Sequence, residues 1–303
     1  MPNTGIEVAS GGTGVTHSEL GAKLAEGACA EVFEWGTDGS RIVKLAKPNT
    51  NLFALEREQR LGDIAWRLGL PVPRPYGLVR ADGRDGIVFD RAAGDTILKR
   101  FAASALFTAP EHYAADPETD VLYARTTARL LFQIHSQTAE DAPPQHASLE
   151  RDIRRNPHLG AAHKDAVMAW LDRLPAKRQL CHGDPNPGNI LLEGEIATII
   201  DWNNATLGNP EADLAEYVLM IRYASLPSGT PPAVARLFEA ARGPSIRLFL
   251  DEYERLSGLG PAALDPWLAP IAARKLAVDG ITETETRRLI AEVERSVPVP
   301  AKA

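Results

Sequence analysis

Two short runs decide how this chain is read: Cys181-His182-Gly183-Asp184-Pro185-Asn186-Pro187-Gly188-Asn189 and, shortly after it, Ile199-Ile200-Asp201-Trp202. A carboxylate at Asp184, a carboxamide at Asn189 and a second carboxylate at Asp201 fall within one small region. The prolines and the glycine between Asp184 and Asn189 fix the shape of a loop. Phosphoryl transfer calls for such a set. One acidic group orients an attacking hydroxyl, while an amide oxygen and a carboxylate hold a divalent cation against the phosphates.

The flanking sequence frames this loop. Residues 189–192 and 196–200 are short apolar runs around Glu193-Gly194-Glu195 and predict a small β-hairpin carried among helices. Upstream, residues 23–27, 30–35 and 41–47 predict three strands, with Thr37-Asp38-Gly39-Ser40 as a hairpin turn. A helix is predicted over 49–68, where Leu52, Leu55, Leu61, Ile64, Ala65 and Leu68 recur at three- and four-residue spacing before Gly69 and Pro71. Two further strands, 76–80 and 86–89, flank the turn at 81–84. From Thr96 the pattern turns helical, with helices predicted over 121–138, over 161–174 and from Pro210 to about Val297. A boundary is expected at 91–95, where Ala92-Ala93-Gly94 interrupts the pattern, giving regions 1–91 and 92–303. Residues 1–15, rich in Gly, Ser and Thr, are expected to be flexible.

The decisive runs resemble the aminoglycoside phosphotransferase family, relatives of protein kinases. His182, Gly183, Asp184 and Asn189 match its H-G-D-x-x-x-x-N loop, and Ile200, Asp201 and Trp202 its following I-D-W. The resemblance implies an α+β, bilobal, kinase-like fold: a five-stranded antiparallel N-lobe with one helix, and a mainly helical C-lobe with a small hairpin. It implies ATP, with GTP an open alternative, and Mg²⁺ as cofactors. Asp184 would be the catalytic base, and Asn189 and Asp201 the metal ligands. Lys44, between Val43 and Leu45, would bind phosphates and pair with Glu58, preferred over Glu56 because it lies beside the core face. Gly27, Cys29 and Ala30 would cover the phosphates, although only Gly27 of the kinase glycines is present. Asp90 and Ala92 would hold the adenine through backbone groups. Asp213 matches a family aspartate that hydrogen-bonds the catalytic loop backbone.

Neighbouring residues read differently. His182 is expected to orient backbone and His135 to be a satisfied core histidine. Cys181 is expected to be buried, and Trp202 to pack against the core. Protein kinases carry a long activation segment after the metal-binding aspartate. Here only residues 202–208 precede Asn209-Pro210. At roughly 3.3 Å per residue they span about 23 Å at most, too little for a peptide-docking platform. Gly183 stands where kinases have the arginine that reads activation-loop phosphorylation.

Composition sets outer limits. With 303 residues, 44% apolar and 24% charged, the chain can bury a substantial core. Its net charge of −7 argues against nucleic-acid or membrane partners. Counted from the sequence, residues 92–303 carry 22 basic and 28 acidic groups, a lean towards a cationic substrate that solvated helix faces explain equally well. Two distant cysteines support neither a disulfide framework nor a zinc site. With no secretory pattern and no long apolar run, a cytoplasmic location is the simplest expectation. The combined reading is phosphoryl transfer from ATP to a hydroxyl of a small molecule. Two alternatives stand beside it: a catalytically silent nucleotide-binding module, and a hydrolase built on His182 and Asp184 that would lack a second ligand cluster. The sequence identifies neither the acceptor nor the oligomeric state.

Overall fold

The computed structural model describes residues 19–107, 117–226, 229–277 and 280–298. The flexibility expected for 1–15 therefore lies outside the described residues. The chain divides into two compact units, one of residues up to Gly94 with Thr198–Asn204, the other of Asp95–Ala197 with Ala205 onward.

The first unit is a five-stranded antiparallel sheet in the order β1-β2-β3-β5-β4. Its strands are β1 (Leu20–Glu26), β2 (Ala30–Trp35), β3 (Arg41–Ala46), β4 (Pro75–Ala81) and β5 (Arg84–Asp90), with α1 (Leu52–Arg67) between β3 and β4. Strand alternation sets its two faces. Val43 and Leu45 point to one side, packed with Trp35, Ala81 and Val88. Lys44 and Ala46 point to the other, where Ala46 packs with Leu55 of α1 and Ile87 of β5. The helix begins at Leu52 and not at 49, because the Asn51 side chain accepts the Ala54 N–H at 3.0 Å and so caps it. It closes where the Leu70 N–H returns to the Ala65 carbonyl at 3.2 Å.

The second unit is mainly helical. Its helices are α2 (Ile97–Phe107), α3 (Pro117–His135), α4 (Gln145–Arg155), α5 (Ala161–Leu171), α6 (Pro210–Tyr223), α7 (Pro232–Ser257), α8 (Pro261–Leu264), α9 (Leu268–Lys275) and α10 (Glu283–Ser296). The expected hairpin is present as β8 (Ile190–Glu193) and β9 (Ile196–Ile199), and β8 also pairs with β6 (Asp95–Thr96). A second small sheet joins β7 (Gln179–Cys181) to β10 (Thr206–Gly208), with Cys181 opposite Thr206. Residues 202–208 are thus a 3₁₀ turn, Trp202–Asn204, then Ala205 and β10. The α+β, kinase-like architecture expected from the sequence is observed.

Helix α6 is buried from Pro210 to Leu219, acidic residues included. Buried charges must be paired, and each of these is. Glu211 takes the Lys177 ammonium at 2.5 Å. Glu216 binds Arg274 at 3.0 Å and also Lys275. Asp213 turns to the loop that carries Asp184.

Candidate active site

Lys44 is placed by the alternation of β3, which turns its side chain to the α1 face of the sheet. Glu58 lies one helical turn from both Leu55 and Leu61, and all three are buried. Its carboxylate meets Lys44 Nζ at 2.6 Å, while Glu56 is exposed. Asp201 Oδ1 lies 3.4 Å from the same ammonium. Burial works against the Lys44 charge, but Glu58 and Asp201 outweigh it and raise the ammonium pKa above its ordinary value. Burial pushes the Glu58 carboxyl up, and Lys44 pulls against that shift.

Asp201 itself sits on an unusual backbone. Its φ is +66°, and Asp82, in a turn, is the other positive-φ non-glycine residue among those described. Left-handed geometry in a non-glycine residue persists only where the surroundings over-determine it. Here the Ile199 N–H donates to the Pro71 carbonyl at 2.9 Å. On the other side Trp202, 3% exposed, is packed down and its indole N–H donates to the Ile199 carbonyl at 3.3 Å. The side chain of Asp201 remains 41% exposed.

In the second unit the loop that carries Asp184 is held from beneath. The backbone N–H groups of His182 and Gly183 donate to Asp213, at 2.6 Å to Oδ2 and 2.8 Å to Oδ1. Gly183 has φ +79°, a conformation that suits glycine. His135 Nε2 lies 3.1 Å from Asp213 Oδ2, and its Nδ1 lies 2.7 Å from the Tyr253 hydroxyl. Burial would raise the Asp213 pKa. The hydrogen bond and electrostatic attraction of His135, the neighbouring His182 ring and the Gly183 N–H together hold it below its usual value. His182 is fully buried and its Nδ1 accepts the Asp184 N–H at 3.3 Å.

Above this base, Asp184 Oδ2 accepts two amide donors, Asn186 Nδ2 at 3.0 Å and Asn189 Nδ2 at 3.1 Å. Asn189 Nδ2 also reaches the Asp184 carbonyl at 3.0 Å. Both neighbours of that nitrogen are acceptors, so the amide oxygen of Asn189 faces away from them. The Asn189 amide oxygen is in this way a hard oxygen donor, as is the Asp201 carboxylate in the first unit, and each is of the kind that Mg²⁺ takes. The group His135, Cys181 and Asp213 also has metal-ligand composition, its candidate atoms lying within 4.8 Å of one another. Its histidine nitrogens and carboxylate oxygens already serve the hydrogen bonds just described, and burial raises the Cys181 thiol well above its usual pKa.

The glycine loop is a tight turn closed by the Gly27 N–H to the Ala30 carbonyl at 2.9 Å. The exposed Cys29 is anchored through its carbonyl, which accepts the Lys47 N–H at 2.9 Å and the Thr50 hydroxyl at 2.8 Å. Asp90 ends β5 and accepts the Tyr76 hydroxyl at 2.8 Å, and Ala92 follows, half-buried.

Sequence reading assigned no role to Asn186 or Tyr253. An asparagine two residues after Asp184 and next to Pro-Gly carries an Asx-turn signal that points to the first. Nothing local points to Tyr253, which is 118 residues from His135.

Solved structures share this fold. A thermostable mutant of aminoglycoside phosphotransferase APH(4)-Ia, solved with ADP and hygromycin B, superposes with a TM-score of 0.62 at 16% identity, covering 93% of this chain and 95% of that one. The amicoumacin kinase hAmiN, solved with AMP-PNP and Ca²⁺, gives 0.58 at 15% identity over 93% and 89%. Macrolide 2'-phosphotransferase MphH from Brachybacterium faecium gives 0.53 at 19% identity over 94% and 93%. These likenesses concern the fold. Acyl-CoA dehydrogenase family member 10 of Mus musculus is 25% identical over 213 residues, which are 63% of this chain and 19% of that protein, so the chain spans about a fifth of its length. Residues 22–259 match the phosphotransferase enzyme family, APH, and the chain belongs to that family.

Proposed function

We propose that the protein transfers the γ-phosphoryl group of ATP, with Mg²⁺, to a hydroxyl of a small molecule. The state of Asp184 carries this reading. Its Oδ2 is taken by two amide donors, while Oδ1 has no hydrogen bond among the described residues. One carboxylate oxygen is thereby left to accept a hydroxyl proton. Asp184 aligns the acceptor oxygen for in-line attack, and the proton passes to it as the bond between the γ-phosphorus and the bridging oxygen breaks. Lys44, oriented by Glu58, neutralises phosphate charge. The Asn189 amide oxygen and the Asp201 carboxylate would hold Mg²⁺, which when bound offsets charge on the phosphates. Positioning and charge neutralisation then supply most of the acceleration.

A small acceptor is supported by residues 202–208, where all but Ala205 lie in a 3₁₀ turn or in β10. It is supported too by neighbours of the same fold, one solved with hygromycin B and another an amicoumacin kinase. The test is a panel of amino sugars, amino alcohols, sugars and hydroxylated antibiotics, scored by ATP consumption and by phosphorus NMR of the product. The variant Asp184→Asn should bind ATP normally by calorimetry but turn over about 10²-fold more slowly or worse. Near-normal turnover by that variant, or strong labelling of generic proteins in place of small molecules, would sink the proposal.

A further inference from the structure

We infer that Asn186 is a positioning residue that fixes which oxygen of Asp184 faces the acceptor; this rests on the reading of Asp184 as the base. The orientation of the Asn186 amide follows from its surroundings. Its Oδ1 accepts the Gly188 N–H at 2.8 Å. An N–H can only donate, so the oxygen faces Gly188 and the NH₂ group faces Asp184 Oδ2, 3.0 Å away. The amide is rigid in this pose. The Asn186 N–H donates to the Asp184 carbonyl at 2.9 Å, and the Asn189 N–H to the Asn186 carbonyl at 2.8 Å. A Cβ at Gly188 would lie 2.8 Å from Asn186 Oδ1, so glycine there is what allows the approach.

Asn189 reaches the same carboxylate oxygen, but its NH₂ group is shared with the Asp184 carbonyl. On that contact alone the carboxylate could swing about its terminal torsion. The second donor, from Asn186, arrives on the same Oδ2 and removes that freedom. Oδ1 is then left without a hydrogen bond among the described residues, the buried Arg274 acting on the carboxylate only through its charge. Both donors fall on one oxygen, which makes the two oxygens of Asp184 unequal: one is an anchor and the other the proton acceptor. The Asn186 NH₂ group binds Asp184 itself, so its effect on the acceptor runs through Asp184.

The loop offers a substitution that separates this role from a purely structural one. Asn186→Asp keeps an oxygen to accept the Gly188 N–H, so the turn is retained, but it sets a second carboxylate against Asp184 Oδ2. Asn186→Ser keeps a short acceptor and replaces the amide NH₂ donor with a shorter hydroxyl, without adding charge. With the acceptor found by the panel above, kcat should fall about 10²-fold in Asn186→Asp, in line with a displaced catalytic group. Asn186→Ser should lose roughly tenfold, the scale of one hydrogen bond to a charged group. KM for ATP should stay within about twofold of wild type in both, since ground-state binding is not altered. Wild-type kcat in Asn186→Asp would mean that Asn186 only shapes the turn, and would overturn the inference. Asp184→Asn, run alongside, separates the two ideas: turnover retained there defeats the base reading itself, whereas turnover lost there and kept in Asn186→Asp defeats only the role of Asn186. Crystal structures of wild type and Asn186→Asp add a readout free of activity. The loop trace should be unchanged and the Asp184 carboxylate turned away from position 186; a carboxylate that has not moved overturns the inference.

Discussion

Two acid–base clusters, one in each unit, use similar parts to opposite ends. In the first, Lys44 meets Glu58 at 2.6 Å and Asp201 at 3.4 Å. In the second, His135 meets Asp213 at 3.1 Å, and Asp213 also accepts the N–H groups of His182 and Gly183. The Asp213 side chain is 2% exposed and the Asp201 side chain 41%. One acid is enclosed and fully hydrogen-bonded. The other stands on strained backbone with a single long contact among the described residues. A satisfied buried acid holds structure, while an exposed one with few partners keeps oxygens open to solvent or to a ligand. Composition alone would not separate them; the count of donors on each carboxylate does.

The largest effect that would break this contrast is on stability. Asp213→Ala strands two backbone N–H groups and a histidine in the interior and should destabilise the fold by about 3–5 kcal/mol, the scale for breaking a buried pair. Thermal melts read this directly, and a loss below about 1 kcal/mol would mean the cluster holds little. The pH dependence follows from the lowered Asp213 pKa. A depressed folded-state value gives stability that is complete above the unfolded value, near 4, and is lost as pH falls through the folded one. Asp213→Asn should therefore show a flatter loss of stability below about pH 4 than wild type.

Asp201→Ala sharpens the other side. Its melting temperature should stay close to wild type, while the Mg²⁺ dependence of ATP affinity disappears. Calorimetry with and without Mg²⁺ decides this, and an unchanged Mg²⁺ effect would place the metal elsewhere. The smallest effect belongs to Tyr253→Phe. The ring stays packed edge-on to His135, with centroids 5.7 Å apart, but the hydroxyl is lost. About 1 kcal/mol is expected from melts, the net worth of one hydrogen bond. A loss as large as that of Asp213→Ala would show the tyrosine to be an equal member of the cluster.

Much of the first unit was legible because its signals are local. Val43-Lys44-Leu45 alternates within one strand, and Leu55, Glu58 and Leu61 share a face at helical spacing. The motif His182-Gly183-Asp184 marked the loop for the same reason. Strands β7 and β10 escaped notice, since three residues such as Thr206-Leu207-Gly208 carry no period of their own and become a strand only by pairing with Gln179–Cys181. The start of α1 was misjudged by three residues because capping by Asn51 outweighed the helical pattern before it. The link from Tyr253 to His135 depends on how α7 packs against α3, which no local pattern encodes. Helix α6 misleads in the other direction: Glu211 and Glu216 have the look of a solvated face but are buried with partners from distant segments.

The excursion of Thr198–Asn204 into the first unit bears on how the chain emerges from the ribosome. Trp202 packs beside α1, yet it is synthesised more than a hundred residues after Gly94. At the usual 5–20 residues per second, the nascent sheet and α1 wait about 5–20 s for the segment that completes them. Throughout that interval the apolar side of α1 that Trp202 will cover is open to other nascent chains and to chaperones. Slow codons between 95 and 204 would lengthen the exposure, and fast ones would shorten it.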